Sequence, residues 1–464
     1  MDDDCDEFLT PAETVRAEAA AEAAAPATDA AAPAADATAP ADDATAPATA
    51  PAAAVLGPPG APRDLFVFYD GTCSKSGVHN SSNVLHLYQL LRRHPRLSTT
   101  PDGRPTCFYQ AGLGTSASLS GTNRRLQFAL TKIDALAGYT FDNQIAAGYA
   151  FLCDTYAPGD RIWMFGFSRG GFAAQSLASL VKNVGVIANA PSEPHERERV
   201  AKSTWVAYRT TPRTEPLAAE PGLCFHDVQP YFVGLWDAIS QLGTKKHGFY
   251  PAALHVRHAL SLDERRSRFQ ACLYMKNYGL ADGSVDRVYM NDVQEVYFPG
   301  NHSDVGGGGS GASQGPAETP AAASRPRVAP RKLSDVSLAW MLCECIGLGL
   351  ALDTLHGLPF STPATCPALT GAPHHDTLAL DARHGRGRNV ALKWWLLEFL
   401  PLPYLIVAHT RKTGEMWSRK YVPNFGRARR IPEGARIHWS VFWKQAYDAD
   451  YRPSNFPKNF EVCQ

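Results

Sequence analysis

The sequence predicts an α/β fold in which a mostly parallel β-sheet carries helices on both faces. The main observation is that short apolar runs ending at turn residues alternate with stretches of helical spacing. The chain has 464 residues, of which 45% are hydrophobic, so it can bury a large core. This composition excludes a collagen, a long coiled coil, a disulfide scaffold and a polytopic membrane protein.

Each element is predicted from a local pattern. Residues 65–69 (LFVFY) are predicted to form a buried strand because they are an apolar run that ends at Asp70-Gly71. Residues 83–93 place Val84, Leu87 and Leu91 on one face, which predicts a helix. Further strands are predicted at 161–165, 231–236 and 293–298, and further helices at 141–156 and 172–182.

Two segments have a low-complexity composition. Residues 1–60 contain 12 acidic residues and a single base, Arg16, among many alanines and prolines. Because large apolar side chains are nearly absent there, the segment is predicted to be a disordered tail. Residues 306–332 are Gly-rich and then Ala/Pro/Ser-rich, which predicts a surface loop inserted into one domain covering 61–464.

Charge and cysteine patterns exclude further classes of function. The chain has 45 basic and 45 acidic residues, and the excess of bases outside the tail is mild, so nucleic-acid binding is not expected. The ten cysteines form no CxxC pair, and neither a metal nor a cofactor is predicted. Because the start, MDDDCDEF, has no signal-peptide pattern, the protein is expected to be cytoplasmic, with reduced thiols.

The sharpest motif is GFSRG at 166–170, which lies between a predicted strand and a predicted helix. A serine on such a turn needs small residues two positions to either side, and the following helix directs its N-terminus at the site. The pattern therefore favours Ser168 as a nucleophile. The alternative is a phosphate-binding or purely structural glycine-rich turn.

A serine hydroxyl becomes a good nucleophile only when a base takes its proton. The expected chain order is serine, then a carboxylate, then a histidine. Asp237 follows the predicted strand 231–236 and is the candidate carboxylate, whereas His302 follows the strand 293–298 and is the candidate base. Both are expected at the same edge of the sheet as Ser168.

Two competing residues remain in view. His258 lies in a half-apolar segment and is a second candidate base, although a satisfied core histidine is the commoner interpretation. Asp304 lies two residues after His302 and either orients it, caps the next turn or does neither.

An oxyanion hole requires two backbone N–H groups near the serine. Arg169 is expected to supply one, and Gly71 or Thr72, directly after the first strand, the other. Asp70 either acts directly in catalysis or caps a helix and holds the loop.

Seven stretches follow one another in the order of a known family. They are FYDGT (68–72), YQAGLGT (109–115), PGDRIWMFGFSRGG (158–171), GLWD (234–237), HALSLDERR (258–266), FPGNHSDVGGG (298–308) and LSDVSLAWML (333–342). Together they resemble the α/β-hydrolase domain catalogued as domain of unknown function 2235. Its bacterial members include the first class of type VI secretion phospholipase effectors.

The resemblance covers about residues 63–350. It extends into the tail as far as Asn455 if the stretches IHWSV (437–441) and YRPSN (451–455) are counted. It implies an α/β-hydrolase fold with a Ser-Asp-His triad, and the matching positions are Ser168, Asp237 and His302. The insertion after Gly308 and the acidic tail depart from the family pattern.

The motifs and the resemblance predict a serine hydrolase that cleaves carboxylic esters, with phospholipid or another lipid ester as substrate. One alternative is a non-catalytic binding scaffold on a hydrolase fold. The other is a thioesterase or peptidase that uses the same triad.

An apolar stretch at 392–408 is too short, and too interrupted by Glu398, Pro401 and Pro403, to predict a membrane-spanning helix. It is either a buried segment packed on the core or an aromatic surface that makes peripheral contact with a membrane. The bases that follow, from Arg411 to Arg430, either assist such contact or lie on a solvated face.

Overall fold

The computed structural model of the chain describes residues that all lie within Ala54–Gln464. The described residues are 63–71, 81–94, 97–99, 103–112, 126–210, 224–239, 252–274, 292–308, 332–352, 372–380, 388–400, 404–407, 417–420 and 423–463, with side chains left out at 126–140, 404–407 and 417–420. The predicted tail 1–60 and residues 309–331 of the predicted insertion therefore lie outside the described residues.

The centre of the fold is an eight-stranded sheet in which every neighbouring pair is parallel. Its order is β2-β1-β3-β6-β7-β8-β11-β12. These strands are β1 (Asp64–Tyr69), β2 (Cys107–Gln110), β3 (Arg161–Phe167), β6 (Phe232–Trp236), β7 (His255–Ser261), β8 (Asp292–Phe298), β11 (Ala435–His438) and β12 (Phe460–Cys463). Two antiparallel pairs lie outside it, namely β4 (Val186–Ile187) with β5 (Cys224–Phe225) and β9 (Tyr404–Val407) with β10 (Trp417–Lys420).

The described helices agree with the sequence predictions where those were made. They are α1 (Asn83–Arg93), α2 (Leu126–Thr155), α3 (Arg169–Val184), α4 (Pro194–Thr210), α5 (His302–Gly306), α6 (Ser334–Gly347), α7 (Arg388–Phe399) and α8 (Ser440–Tyr447), with a 3₁₀ turn at Ser267–Phe269. The helix predicted at 141–156 begins earlier, at Leu126, and the one predicted at 172–182 begins at Arg169.

Helices cover both faces of the sheet, as predicted. Along β1, Leu65 and Val67 pack into a core with α2 and α3, whereas Phe66 and Phe68 pack into a second core with α1 and α6. Successive side chains of a strand point to opposite faces, so a strand buried on both faces reads as one continuous apolar run. The α/β-hydrolase-like fold class is confirmed.

The strand order reverses direction between β1 and β3. The chain passes from β1 to β2 on one side and then returns to place β3 on the other side of β1. In an open parallel sheet such a reversal leaves a crevice at the carboxyl ends of the strands, and ligands bind there. The GFSRG turn follows β3, so it lies at this crevice.

The C-terminal segment is part of the same fold. Strand β11 pairs with β8, and a third core cluster joins Leu260 and Tyr297 of the sheet to Ile437 and Tyr451. Because of this packing, residues of the C-terminal segment lie close to the ends of β7 and β8. Among the described helices, none combines the length and the apolar character needed to cross a bilayer.

Candidate active site

Ser168 lies on a strained turn between β3 and α3. Its backbone φ is 60°, in the left-handed region that residues other than glycine rarely adopt. A Cβ added to Gly170 would lie 2.2 Å from the carbonyl oxygen of Tyr69, and one added to Gly166 would lie 2.5 Å from the oxygen of Gly170. The glycines of the motif are therefore required for the turn to pack against β1.

The loop after β6 is hydrogen bonded to this turn. The Ser168 N–H donates to the Trp236 carbonyl oxygen over 3.1 Å, and the Ile239 N–H donates to the Ser168 carbonyl oxygen over 3.1 Å. Because β3 and β6 are neighbours, this pairing places Asp237, the next residue after β6, beside the serine.

The structure brings Ser168, Asp237 and His302 together. Nε2 of His302 lies 2.9 Å from Oγ of Ser168, and Nδ1 of His302 lies 2.6 Å from Oδ2 of Asp237. A carboxylate only accepts hydrogen bonds, so Nδ1 carries the proton and Nε2 is left to accept from the serine hydroxyl. All three side chains are buried, with Ser168 and His302 each 4% exposed.

His302 is held by the short helix α5, of which it is the first residue. Asn301 caps the helix, since its side chain accepts from the Ser303 and Asp304 N–H groups. The imidazole contacts the rings of Phe167 and Phe269, with centroid distances of 4.7 and 4.8 Å. Packing against two aromatic rings limits the rotation of the imidazole.

Asp237 receives four hydrogen bonds. Besides His302, the Ser261 N–H donates to its Oδ1 over 2.9 Å. The guanidinium of Arg429 donates from Nη1 to Oδ1 over 2.6 Å and from Nη2 to Oδ2 over 2.9 Å. Burial would raise the pKa of Asp237, but the charge of Arg429 and the bond to His302 outweigh it and hold this pKa well below its usual range.

His302 remains neutral at physiological pH. Burial is the largest effect and lowers the pKa of His302, while the hydrogen bond and charge of Asp237 act in the opposite direction. The surroundings thus favour the neutral imidazole, which is the form that can accept a proton.

Glu264 supports the backbone of His302. Its Oε2 lies 3.3 Å from the His302 N–H, and the same oxygen accepts from Nη2 of Arg266 over 2.7 Å. Burial opposes ionisation of Glu264, but Arg266 outweighs it and lowers the pKa of Glu264 to about 2. The Arg266 guanidinium also lies 3.7 Å from the centre of the Phe269 ring.

The first loop is held by Asp70. Its Oδ2 accepts from Oγ of Ser82, the N-cap of α1, over 2.7 Å and from the hydroxyl of Tyr109 over 2.6 Å. Its Oδ1 accepts from the Gly71 N–H over 2.6 Å. These contacts match the loop-holding alternative for Asp70. Thr72 lies outside the described residues.

Gly71 lies against the turn that carries Ser168, because a Cβ added there would be 2.5 Å from the Phe167 ring. In this structure its N–H donates to Asp70. Arg169, whose N–H is the other expected oxyanion donor, is the first residue of α3 and follows Ser168 directly.

His258 lies in β7, fully buried, and serves as a core residue. Its Nε2 accepts from the Ala238 N–H over 3.1 Å, so Nδ1 carries the proton that faces Glu295 at 3.2 Å. Both ring nitrogens are thus engaged away from Ser168, and the ring supports the loop that carries Asp237.

Asp304 acts as a cap. Its Oδ2 accepts from the N–H groups of Asn301 and His375 over 3.0 and 2.8 Å, and its Oδ1 lies 2.6 Å from Nδ1 of His375. The capping alternative therefore describes this residue, and the carboxylate that contacts the His302 ring is Asp237.

Sequence reasoning missed Arg429, Glu264 and Phe269. Arg429 was among the bases expected on a surface, and that expectation is wrong for it, because the residue is 4% exposed. Glu264 lies inside the HALSLDERR stretch, which was a detectable signal.

Helix α7 contains part of the predicted apolar stretch 392–408. Burial, one of its two predicted alternatives, is wrong for Leu392, Leu396 and Phe399, which are 51%, 52% and 55% exposed. Trp394 instead packs on Phe269, with ring centroids 5.4 Å apart. The exposed apolar face therefore lies on a helix that contacts the ring covering His302.

Glu398 fixes α7 to the same turn. It is fully buried, and its Oε1 accepts from the N–H and the hydroxyl of Ser267 over 2.8 and 2.9 Å. Its Oε2 accepts from Nδ2 of Asn424 over 2.8 Å.

In the described part of the chain, no group of three or more His, Cys, Asp or Glu residues is arranged to hold a metal ion.

The parallel sheet, with its strained serine at the strand reversal and a histidine and a carboxylate beside it, defines a protein of the α/β-hydrolase class. The chain belongs to the family described as T6SS, Phospholipase effector Tle1-like, catalytic domain, whose model matches residues 63–344. The predicted resemblance is confirmed.

Individual relatives are distant. The chain is 24% identical over 581 residues to the uncharacterized protein YEL023C of Saccharomyces cerevisiae, covering 85% of this chain and 81% of that protein. An uncharacterized protein from Pseudomonas aeruginosa, known from a crystal structure, has a TM-score of 0.32 and 15% identity and covers 66% of this chain. A Tle1 effector bound to the VgrG spike of the Type 6 secretion system has a TM-score of 0.28 and 18% identity over 53% of this chain. The chain spans about half the length of these two solved structures, 48% and 51%.

Proposed function

We propose that the protein is a serine hydrolase that cleaves the acyl esters of phospholipids. The observation that carries the proposal is the hydrogen-bonded series from Ser168 Oγ to His302 Nε2 and from His302 Nδ1 to Asp237. Membership of a phospholipase effector family supports a lipid ester as substrate.

The mechanism follows from the protonation states. Nε2 of His302 takes the proton of Ser168 as Oγ attacks the ester carbonyl, and a tetrahedral intermediate forms. The imidazolium that results is stabilised by Asp237 and then gives its proton to the leaving alcohol. Water, deprotonated by the same imidazole, then attacks the acyl-enzyme. As the bond between the acyl carbon and Oγ breaks, the imidazolium returns its proton to Oγ, and the fatty acid is released.

The oxyanion requires hydrogen-bond donors placed in advance. The N–H of Arg169 follows the nucleophile and lies at the N-terminus of α3, a sixteen-residue helix whose dipole favours negative charge there. The second donor comes from the loop after β1, at Gly71 or Thr72. For Gly71 this requires its N–H to turn from Asp70 toward the substrate.

We expect a fluorophosphonate probe to label the native protein on Ser168 and to stop hydrolysis of phospholipid vesicles in proportion to labelling. The reagent reacts fast with a serine from which an adjacent base takes the proton during attack. The measurement is mass spectrometry of the labelled peptide together with release of free fatty acid. Labelling of a different serine, or hydrolysis that survives full labelling, contradicts the proposal.

A substrate panel separates the proposed activity from its alternatives. Diacyl phospholipid, an acyl thioester and a peptide ester are compared at equal concentration. A lipase-type enzyme favours the first, whereas a thioesterase or a peptidase favours one of the others. A binding scaffold cleaves none of them.

The exposed face of α7 supports contact with a lipid surface. Leu392, Leu396 and Phe399 recur at helical spacing on one side, and exposed Phe425 packs beside Phe399 with ring centroids 5.8 Å apart. Lys393, exposed on the same helix, suits an anionic headgroup. Apolar side chains beside a base are the pattern of a helix that lies in the membrane interface.

The double variant Leu392→Glu/Leu396→Glu is expected to bind anionic vesicles at least about tenfold more weakly, because burying these two exposed leucines in the membrane contributes on the order of several kcal/mol to binding. Vesicle hydrolysis should fall with binding, while hydrolysis of a soluble short-chain ester stays unchanged. Vesicle flotation and the two activities measure this. Tyr447→Glu on α8, where Tyr447 is 62% exposed, is the matched control. Equal effects of both variants contradict a specific role for α7.

A further inference from the structure

We infer that Arg429 is a positioning residue of the active centre, which holds Asp237 as an anion in one orientation and fixes Phe269 against His302. The inference rests on the proposed serine hydrolase mechanism. It also means that residues beyond the family match at 63–344 complete the site.

The first observation is that all five N–H donors of Arg429 have acceptors at the site. Two bonds go to Asp237, as described above. Nη1 also donates to the Ser261 carbonyl oxygen over 3.1 Å. Nε donates to the Phe269 carbonyl oxygen over 2.9 Å, and Nη2 donates to the same oxygen. Only a planar guanidinium, with donors on three nitrogens, can bond at once to the Asp237 carboxylate and to the carbonyl oxygens of Ser261 and Phe269.

The second observation concerns charge. Asp237 is completely buried, where a lone carboxylate would be strongly desolvated. The guanidinium stays protonated at every accessible pH, so it keeps Asp237 ionised throughout the catalytic cycle. By lowering the pKa of Asp237, it also opposes the uptake of a proton by the hydrogen-bonded pair of Asp237 and His302.

The third observation is mechanical. Phe269 ends the 3₁₀ turn, and its carbonyl oxygen accepts two of the five bonds from Arg429. The Phe269 ring lies edge-on to His302 at 4.8 Å, while Arg266 covers its other side. Arg429 therefore joins the carboxylate and the aromatic wall of the imidazole in one cluster.

The backbone of Arg429 is itself fixed to the sheet. Nδ2 of Asn455 donates to the carbonyl oxygens of Arg429 and Leu262 over 3.0 and 2.9 Å. Leu262 follows β7 directly, so the C-terminal segment is attached beside the strand that carries Ser261. Arg427 and Arg430, close by in sequence, are exposed and provide matched controls.

The test compares Arg429→Met with Arg427→Met and Arg430→Met in the full chain, using a soluble short-chain ester. We expect Arg429→Met to lower kcat by about a hundredfold with little change in KM, the size expected when a reacting group is misplaced by about 1 Å. We also expect the acid limb of kcat/KM to move up by about one pH unit, because loss of the guanidinium makes the coupled pair of Asp237 and His302 easier to protonate. In an Arg429→Ala variant, which vacates the space of the whole side chain, millimolar methylguanidinium should restore part of the activity, and it should not change the activity of the two control variants.

A merely structural role would reduce the fraction of folded enzyme but leave the pH limb in place. Circular dichroism and active-site titration therefore accompany the kinetics. Arg429→Lys keeps the charge but cannot make five bonds, and it is expected to leave the pH limb near its native position while lowering kcat. It continues the test if the methionine variant does not fold.

Native kcat and an unmoved pH limb in the folded variants would overturn the inference. Failure of the native protein and both control variants to hydrolyse any ester would instead reject the proposed function. The two failures are thus distinguishable in one set of measurements.

Discussion

Replacing Ser168 with alanine is expected to lower kcat for phospholipid hydrolysis by roughly 10⁴-fold to 10⁶-fold, the range typical of losing a triad nucleophile. The reason is that Oγ of Ser168 forms the covalent acyl-enzyme, and no other hydroxyl is expected to replace it. Substrate binding should remain, because alanine removes one atom and leaves the surrounding loops in place. Fatty-acid release under single-turnover conditions and vesicle binding measure the two effects separately.

Ser176→Ala is the matched control for this variant. Ser176 is a buried serine of α3, the helix that follows Ser168; it is 5% exposed and plays no part in the proposed chemistry. It should retain native activity. An Ser168→Ala protein that keeps a tenth or more of the native rate, on a chain shown to be folded, would place the nucleophile elsewhere; a tenth corresponds to a barrier change of only about 1.4 kcal/mol.

Much of the centre of this fold is predictable because its signals are local. The apolar run of β1 and the helical spacing of α1 are each contained within a few residues. Ser168 is predictable for the same reason, since the glycines that its turn requires are its sequence neighbours. Asp237 and His302 follow from chain order together with the rule that parallel strands end at one edge of the sheet.

Arg429 could not be found in this way. Its sequence neighbours include Arg427 and Arg430, and what distinguishes it is burial against Asp237, which only the folded C-terminal segment creates. Strands β11 and β12, which attach that segment, have four residues each and were not predicted. Four residues are too few to show the alternation of side chains by which a strand is recognised in a sequence.

His258 illustrates the opposite limit. From the sequence, both His258 and His302 are candidate bases. In the fold each of them also has a carboxylate beside one ring nitrogen, Glu295 for His258 and Asp237 for His302. The difference is what the second ring nitrogen meets: the Ala238 N–H for His258, and the Ser168 hydroxyl for His302. A backbone donor occupies the basic nitrogen permanently, whereas a hydroxyl can give up its proton to it.

Asp237→Asn is expected to lower kcat by about 10⁴-fold, the size typical when a triad carboxylate becomes an amide. Four donors point at the two oxygens of Asp237, so either orientation of an asparagine amide sets N–H against N–H. The conflict between the asparagine N–H and His302 is removed when His302 carries its proton on Nε2 and accepts a hydrogen bond at Nδ1. That tautomer faces Ser168 with a donor and cannot act as its base.

The same variant should also lose about 3 to 5 kcal/mol of the free energy of unfolding, because the buried charge of Arg429 loses its partner. The folded-state pKa of Asp237 lies below the ordinary value, so the ion pair's contribution is complete above about pH 4 and is lost as pH falls further. The stability difference between native and variant should therefore be full at pH 7 and shrink in acid. Urea unfolding at several pH values measures it.

Glu295→Gln provides the contrast that separates chemistry from stability. It changes the carboxylate of the other buried pair, His258 with Glu295, and both of those side chains are fully buried. If a buried histidine–carboxylate pair matters only for folding, the two variants should lose activity in proportion to stability. If Asp237 sets the tautomer of the catalytic base, Asp237→Asn should lose far more activity than Glu295→Gln at equal folded fraction, and equal losses would contradict the assigned role of Asp237.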